Sequence, residues 1–397
     1  MKMKSIFLSM LAIAALASCT KENFNVDPPT PQGDKMLVDI TLTSGEPTKA
    51  SGVATVAEDK AINNVTVFFL NATDQIVSKQ YLNAASLTAD QTDATIKTAT
   101  VETRSTATQM MVIANIGEDR TTTTLNVSTK AQLQAVVQSL ITTANPPLPV
   151  QAKTDVLMSG EGTVENMTAS QDGSPSTATS AVTLNFISAK ISLTKIELGN
   201  NAQGTYGTDF TFTRAFLLNV QTNSWYFPTA NSYIPTPKAY ANGTAWEASW
   251  GTDPGYPVVA DYAQAFNFAN MNAPQTDLAH WYVFENNPTS VASTENPTIL
   301  VIEIEWTKTK ADATAGTPEE KVKKMFNVIF APGDKGVIEA GKAYNVDLTF
   351  NGDFRPESEG GNGGGGTDTP DEPNVNANVG ITVTPATWSE QTTPKPF

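Results

Sequence analysis

Apolar and polar residues alternate strictly in two stretches that lie near opposite ends of the chain. The apolar positions are Met36, Val38, Ile40 and Leu42 in the first stretch and Val375, Ala377, Val379, Ile381 and Val383 in the second. A period of two is the pattern of a β-strand with one buried face. We therefore predict one strand over residues 35–43 and another within residues 374–397, a segment that also contains Trp388.

Most of the chain between these stretches is predicted to be antiparallel β-structure. Further strands are predicted at residues 65–70, 109–116, 182–198, 210–220, 298–306, 324–330 and 343–350. Within residues 182–198 the apolar side chains change parity twice. Because a slip of one residue turns every side chain to the other face of a sheet, we predict a break near residues 187–190 and a β-bulge at Thr194–Lys195.

One helix is predicted in the first half of the chain. The residues that follow the spacing of a helical face are Leu133, Val136, Val137, Leu140 and Ile141. Thr129 and Gln132 can form a capping box at its start. The prolines at 146–147 end the helix, since proline cannot continue the backbone hydrogen bonds.

Changes in composition divide the body of the chain into two predicted domains. The stretch 168–180 is rich in Ser, Thr, Gly and Pro, and it separates residues 35–180 from residues 181–352. Residues 44–52 form a loop of small residues directly after the first strand. Such loops are good protease substrates, so the first strand can be cut free as a unit.

A glycine-rich linker, residues 353–373, joins the second domain to the last strand. Its residues 358–373 have a composition that cannot build a packed core. A coil of this length spans roughly 20 to 24 Å and has a contour of about 55 Å. The last strand, residues 374–397, can therefore reach a neighbouring molecule.

The first eighteen residues have the pattern of a bacterial lipoprotein signal peptide. A basic start precedes the apolar run 6–16, which is too short for a permanent transmembrane helix. The run ends in Leu16-Ala17-Ser18-Cys19, which resembles a lipobox, so we predict removal of residues 1–18 and lipidation of Cys19. The alternative is an ordinary secretory signal that contains a cysteine. Residues 19–34 are rich in proline and are interpreted as a tether.

The charge balance excludes nucleic acid as a partner. The chain of 397 residues has 25 Lys and Arg residues against 40 Asp and Glu residues, a formal net charge of −15. Such a chain repels phosphate backbones. Its one Cys forms no internal disulfide and its one His, His280, leaves a single possible base for a nucleophilic triad. We expect no metal and no cofactor.

Two carboxylates are the best candidates for catalysis, although an enzyme is poorly supported. Glu303 and Glu305 are two residues apart on one predicted strand, and their separation of about 6.6 Å overlaps the spacing of glycosidase carboxylates. The opposite face of this strand carries the apolar residues. We therefore interpret the two glutamates as the solvated face of an antiparallel strand.

Aromatic residues are dense between residues 225 and 282. They are Trp225, Tyr226, Trp246, Trp250, Tyr256, Tyr262, Trp281 and Tyr282. Exposed aromatic faces hold sugars in many proteins, whereas buried aromatic side chains dominate the energetics of cores. Core and loop packing is the favoured interpretation, and a glycan-binding surface is the alternative.

Several segments resemble the FimA-type major fimbrial subunit, or fimbrillin, a type V pilin of Bacteroides and Porphyromonas relatives. Its processing loop and next strand are similar to EPTKASGVATVAEDKAINNVTVFFLN at residues 46–71. Core segments of the family are similar to MMVIANIG at 110–117, WYVFEN at 281–286, PTIL at 297–300 and GKAYNV at 341–346. Its C-terminal strand is similar to VGITV at 379–383 with Trp388.

The resemblance implies a fold and a mode of assembly. The expected fold is all-β, with two transthyretin-like β-sandwich domains, a short helix in the first domain and a flexible C-terminal donor strand. The expected function is that of a structural fimbrial subunit that supports adhesion, exported as a palmitoylated lipoprotein to the outer membrane and cell surface. Removal of the first strand would open a groove for the last strand of a neighbouring copy.

The resemblance also implies the residues involved and the partners. A trypsin-like protease would cut between Lys49 and Ala50, although the best-known family members have arginine where this chain has Lys49. The donor residues would be Val375, Val379, Ile381, Val383 and Trp388, and they would replace Met36, Val38, Ile40 and Leu42. Further partners would be fimbrial anchor and tip subunits. The alternatives are that this chain is itself a tip or anchor subunit, or a surface lipoprotein that binds glycans and does not polymerise.

Overall fold

The fold is known from a computed structural model. It describes residues 33–44, 60–91, 93, 95–143, 155–169, 174–199, 210–269, 271, 273–288, 296–309, 316, 319–330, 337–350 and 379–387. Cys19, Lys49, Ala50, Val375 and Trp388 lie outside these residues.

Strands dominate the described residues. The first ten are β1 Lys35–Ser44, β2 Val65–Asn71, β3 Ile76–Leu82, β4 Thr88–Ala89, β5 Ile96–Arg104, β6 Ala107–Ala114, β7 Val137–Ser139, β8 Met158–Thr163, β9 Glu165–Thr168 and β10 Ser176–Phe186. The others are β11 Ser188–Leu198, β12 Phe210–Leu218, β13 Val220–Gln221, β14 Asn223–Trp225, β15 Tyr240–Ala241, β16 Ala263–Ala269, β17 Gln275–Phe284, β18 Ile299–Thr309, β19 Glu320–Ile329, β20 Lys342–Phe350 and β21 Val379–Thr387. Helix α1 is Lys130–Gln134, and short 3-10 helices lie at Ala84–Ser86, Ala248–Trp250 and Ala260–Tyr262.

The first domain is a nine-stranded sheet that folds over itself. Its strand order is β3-β2-β6-β8-β10-β1-β5-β4, with β9 also paired to β10. The long strand β10 joins the two halves, because it pairs with β1 over most of its length and with β8 at its end. A hydrogen bond of 2.6 Å between the Ser78 and Thr103 hydroxyls links β3 of one half to β5 of the other half. The two halves therefore enclose one apolar core.

The second domain is a sandwich of two four-stranded sheets. Their orders are β17-β11-β20-β21 and β16-β12-β18-β19. Phe350 of the first sheet contacts Phe212 and Phe326 of the second in edge-on packing, with ring centroids 5.0 Å apart in both pairs. These contacts close a shared core between the sheets. The all-β, two-domain prediction is confirmed.

The strands that were predicted are found in the structure, whereas β3, β5, β16 and β17 were not predicted. Strands occupy all of the segments predicted between residues 65 and 350. The long run 182–198 is broken at Ile187, and the pairing of β11 shifts register between Leu193 and Lys195 on both of its sides. The change of sheet occurs at Ile187, since β10 belongs to the first domain and β11 to the second. This is later than the predicted division near residue 180, which would cut through β10.

The predicted helix was wrong beyond its first turn. The start is confirmed, because the Thr129 side chain accepts a hydrogen bond of 3.2 Å from the backbone N–H of Gln132. The helix ends at Gln134, and Val137–Ser139 forms β7, which pairs with β14 of the second domain. Main-chain pairing across the domains outweighs the local helical spacing. Val137, which the helical pattern placed on the apolar face, is 45% exposed.

The two domains are joined by polar contacts around this strand pair. The Tyr226 hydroxyl donates a hydrogen bond to Oε1 of Gln138, which also accepts one of 3.0 Å from Arg120. The Ser159 hydroxyl donates to the backbone carbonyl of Tyr226. Burial raises the pKa of Tyr226 to about 12, so this phenol stays a neutral donor at physiological pH. The first and second domains are thus tied together by main-chain and side-chain bonds.

Candidate functional site

Strand β1 lies inside its sheet and is hydrogen-bonded on both sides. It runs parallel to β10, with Met36 opposite Ser176 and Ser44 opposite Leu184. It runs antiparallel to β5, with Lys35 opposite Arg104 and Thr43 opposite Ile96. Removal of β1 would leave two facing rows of unpaired backbone groups, one on β5 and one on β10.

The apolar row of β1 forms part of the first-domain core. Met36, Val38 and Leu42 are fully buried and Ile40 is 1% exposed. They pack in one cluster with side chains from both halves of the sheet, among them Val67, Phe69, Val101, Met110, Val112 and Val182. At roughly 1.5 to 3 kcal/mol for each side chain, this row contributes about 6 to 12 kcal/mol of gross burial energy. The groove under β1 is therefore mainly apolar, with Ser176 and Ser180 of β10 as buried polar side chains beside Met36 and Ile40.

The opposite row of β1 faces outward and forms weaker contacts. The Lys35 ammonium and the Glu102 carboxylate are 2.6 Å apart, but both side chains are about half exposed. The Thr100 hydroxyl donates a hydrogen bond of 2.6 Å to Asp39. Exposed ion pairs contribute little to stability. The inner row and the two ladders thus hold β1 in place.

Each end of β1 is attached to a neighbouring loop. At the start, the N–H of Asp34 donates to the Ser105 hydroxyl over 3.0 Å, and the N–H of Ser105 donates to the Asp34 carbonyl over 2.8 Å. At the end, the N–H of Ser44 donates to the Thr95 carbonyl over 3.3 Å. The predicted processing residues Lys49 and Ala50 follow Ser44 outside the described part of the chain.

The segment after the predicted processing loop is held by Asn115, a residue that sequence reasoning missed. Asn115, which follows β6, accepts a hydrogen bond of 2.9 Å from the N–H of Asn63 at its side-chain oxygen. Its amide nitrogen donates to the carbonyls of Ala61 over 2.8 Å and of Val156 over 2.9 Å. The only sequence signal was the Asn-x-Gly pattern of residues 115–117, which is typical of left-handed backbone; φ is +65° at Asn115 and +88° at Gly117.

The last strand, β21, pairs with its own chain. It runs antiparallel to β20, with Val379 opposite Phe350 and Thr387 opposite Lys342. Ile381 stands opposite Leu348 and Val383 opposite Val346. Among the described residues, β20 is the sole partner of β21, which therefore lies at the end of its sheet. A strand whose backbone groups need partners takes the nearest available edge in an isolated chain.

A polar network supports the strand on which β21 rests. Glu197 of β11 accepts hydrogen bonds of 2.8 Å from Lys195 and 2.7 Å from the Thr349 hydroxyl of β20. These two bonds, first the one from Lys195, lower the pKa of the Glu197 carboxyl. The bond between Thr349 and Glu197 adds a side-chain contact to the parallel ladder that joins β11 to β20.

The interpretation of Glu303 as a solvated residue was wrong. It is 2% exposed and accepts hydrogen bonds of 2.9 and 2.7 Å from Nε and Nη2 of Arg214. The Thr213 hydroxyl occupies its other oxygen over 2.7 Å. Trp250 covers this face of the sheet from the 3-10 helix Ala248–Trp250, which strand parity alone does not reveal. Glu305 remains partly exposed and pairs with Lys321 over 2.8 Å.

The aromatic residues between 225 and 282 act mainly in packing, as the favoured interpretation held. Tyr226, Trp250, Tyr262, Trp281 and Tyr282 are buried. Burial also raises the pKa of Tyr262. Trp246 packs edge-on against Trp250, with ring centroids 5.6 Å apart. These side chains form cores rather than an open aromatic platform.

Metal-binding clusters and membrane-spanning helices are both absent from the described residues. No group of three or more His, Cys, Asp and Glu side chains there is arranged to hold a metal ion. No helix in that part of the chain is long and apolar enough to cross a membrane. His280 is exposed, and its ring lies edge-on to Tyr282 with centroids 5.9 Å apart.

Comparison with family models gives two matches that overlap at residues 188–205. Residues 188–388 match the FimA-like major fimbrial subunit protein, C-terminal domain, and residues 37–205 match the major fimbrial subunit protein FimA. The first match begins at Ser188, the first residue of β11. A search of curated protein sequences gave no match.

Solved structures share the fold over most of the chain. A "putative cell adhesion protein" from Bacteroides eggerthii is 27% identical, with a TM-score of 0.65 over 90% of this chain and 97% of the other. A fimbrilin (fimA) from Porphyromonas gingivalis is 18% identical, with a TM-score of 0.57 over 90% of this chain and 99% of the other. The second similarity concerns the fold alone.

Proposed function

Since the chain belongs to the FimA-like major fimbrial subunit family and is a structural subunit of a cell-surface fimbria, we propose that it polymerises by exchange of β-strands after proteolysis. In this proposal β1 is released and the last strand of a neighbouring copy takes its place. The incoming residues are Val375, Val379, Ile381, Val383 and Trp388.

One observation carries the proposal: β1, the first strand along the chain, is hydrogen-bonded on both sides and has a buried apolar row. Its loss creates a groove that only another strand can fill well, because main-chain ladder bonds give affinity and alternate side chains fill pockets. The last strand has the same period of two as β1. It can therefore place Val379, Ile381 and Val383 in pockets of the kind that β1 leaves.

The energetics of such a joint favour a durable filament. Burial of Val375, Val379, Ile381 and Val383 yields a gross term of about 6 to 12 kcal/mol, at roughly 1.5 to 3 kcal/mol each, before ordering entropy is subtracted. The joint connects one end of a subunit to a different surface of the next. A head-to-tail contact of this type does not close on itself and so produces a filament.

The export route in this proposal begins with a lipoprotein. Residues 1–18 act as signal peptide, Cys19 carries the lipid, and residues 19–34 tether the body to the outer membrane. A trypsin-like protease then cuts between Lys49 and Ala50, which frees both the lipid and β1. Residues 353–373 serve as the linker of the donor strand. Fimbrial anchor and tip subunits bind the ends of the filament, which supports adhesion.

Mass spectrometry of the N-terminus tests the processing steps. Subunits in fimbriae sheared from cells should begin at or near Ala50 and carry no lipid. The precursor retained in membranes should begin at a lipid-modified Cys19. Fimbriae whose subunits still begin at Cys19 would show that strand release does not precede assembly.

A further inference from the structure

Proteolysis next to β1 creates a mechanical problem for the rest of the first domain. A cut in the loop 44–52 makes residues 60–64, which we name the post-loop segment, part of a free N-terminal arm. Ile62 of this segment is 2% exposed and shares its core cluster with the apolar row of β1. Release of β1 therefore removes packing beside Ile62 at the moment when the covalent connection upstream is lost.

The post-loop segment leads directly into β2, which the groove needs. Strand β2 starts at Val65 and pairs with β3 on one side and β6 on the other. Val65, Val67 and Phe69 of β2 belong to the cluster that lines the groove. If the free arm peeled away together with β2, the receiving surface would be lost before a new strand arrived.

Several hydrogen bonds of the post-loop segment lead away from β1. Asn115 binds the N–H of Asn63 and the carbonyl of Ala61 through its side chain, and its own N–H donates to the Asn64 carbonyl over 2.9 Å. The Asn64 side chain accepts from the N–H of Gly117 over 3.0 Å. The Asn63 side chain donates to Asp155 over 2.8 Å. Each of these bonds joins the segment to residues 115–117 or 155, on the β6 and β8 side of the domain.

We propose that Asn115 is a positioning residue for strand exchange, which holds the post-loop segment after cleavage so that β1 leaves alone and the groove stays open. The proposal rests on the proposed function. The Asn115 side chain satisfies both a donor and an acceptor of the segment, as a neighbouring strand would. Because a third bond fixes it to the Val156 carbonyl over 2.9 Å, its grip does not depend on β1.

The test compares amide hydrogen exchange of residues 60–71 before and after a cut. The protein used is the chain without its signal peptide, residues 19–397. A recognition site for a sequence-specific protease is inserted into its loop 44–52. The variant Asn115→Gly tolerates the left-handed backbone at this position and lacks the side-chain bonds. In the uncut variant the segment remains tethered at both ends and docks again readily. We expect exchange to become about 10-fold faster in the cut variant, because it lacks both the buried side-chain hydrogen bonds and the upstream tether, and to change far less in the uncut variant, which keeps the tether.

Asn219→Gly is the matched control. Asn219 is also buried, follows a strand, has φ of +54° and donates to a backbone carbonyl, that of Pro297, over 3.1 Å. It lies in the second domain, so its effect should be equal in the cut and uncut forms. Asn115→Asp is a second variant: it keeps the acceptor for Asn63 and loses the two donors, and it should show the same dependence on the cut.

The outcomes separate this inference from the strand-exchange proposal. Equal loss of protection in cut and uncut Asn115 variants, or no loss in either, would overturn the role of Asn115. The exchange proposal is read separately, from the uptake of a synthetic peptide of residues 374–388 by the cut wild-type chain. If the peptide is taken up but the Asn115 variants show no cut-dependent effect, strand exchange is supported and the role of Asn115 is refuted. If the peptide is not taken up but the cut-dependent effect is present, the role of Asn115 is supported and strand exchange is refuted.

Discussion

Strands β1 and β21 share a period of two but occupy different places in their sheets. β1 lies between β5 and β10, so its backbone is paired on both sides. β21 lies at the end of a sheet and pairs only with β20 among the described residues. The same sequence pattern thus yields an interior strand at one end of the chain and an edge strand at the other.

The difference gives a direction to the proposed exchange. A strand that moves from the edge of β20 into the groove of a neighbouring subunit gives up one ladder and gains two. It also exchanges a position at a sheet end for one inside an apolar cluster. Both changes favour the joined state, since ladder bonds and apolar burial act together in strand addition. The free-energy cost of releasing β1 from its sheet opposes the joined state. Proteolysis lowers this cost by removing the covalent connection between β1 and the rest of the domain.

The largest expected effect concerns the interior strand before any cut. Ile40→Asp places an unpaired charge among buried apolar side chains, which costs several kcal/mol. Thr41→Asp is the matched change on the exposed row of the same strand and should cost under about 1 kcal/mol. Urea unfolding of the uncut chain measures both. Similar midpoints for the two variants would show that β1 does not form part of the core.

The strands were predictable because their signal is local, whereas several other features depend on distant residues. Alternation predicted β1, and parity changes predicted the bulge near Thr194. The helix prediction failed after Gln134 because β7 pairs with β14, far away in sequence. Glu303 was misjudged because it is buried and bonded to Arg214, which is 89 residues away in sequence.

The hydrogen-bond partners of individual side chains could likewise not be predicted from the sequence. Asn115 binds main-chain atoms of Ala61, Asn63 and Val156, and main-chain atoms leave no mark in a sequence pattern. The partner of β21 was also missed, because a period of two predicts a strand and not the edge on which it lies. The candidate strands were therefore predictable, and the residues that position them were not.

The next effect concerns the edge strand and should appear in assembly rather than in folding. Ile381→Asp should leave the monomer folded and abolish polymerisation, because the charge would enter the apolar groove of the next subunit. The control is Thr384→Asp, on the opposite row of β21, and it is preferred to Thr382→Asp. Thr382 stands opposite Asp347 in the monomer, where a second carboxylate would repel the first. The measurement is formation of SDS-resistant ladders after protease treatment. Equal ladders from the Ile381 and Thr384 variants would contradict donation in this register.

The smallest effect compares the polar supports of the two strands. Glu197 bridges β11 and β20 beneath the edge that carries β21, and its hydrogen bonds with Lys195 and Thr349 lower its pKa in the folded chain. A carboxyl whose pKa is lower when folded stabilises the fold above its unfolded pKa. That contribution is lost as the pH falls through the folded value, so the window lies below the ordinary glutamate pKa of 4.5. Glu197→Gln should therefore lower stability at pH 7 by about 1 kcal/mol or less, since the group is partly exposed, and the deficit should vanish in strong acid. Glu102→Gln removes the half-exposed partner of Lys35 beside β1 and should lower stability less than Glu197→Gln does at pH 7. Urea midpoints from pH 3 to pH 7 decide between them, and a Glu197→Gln deficit that grew toward acid would contradict the sign of this argument.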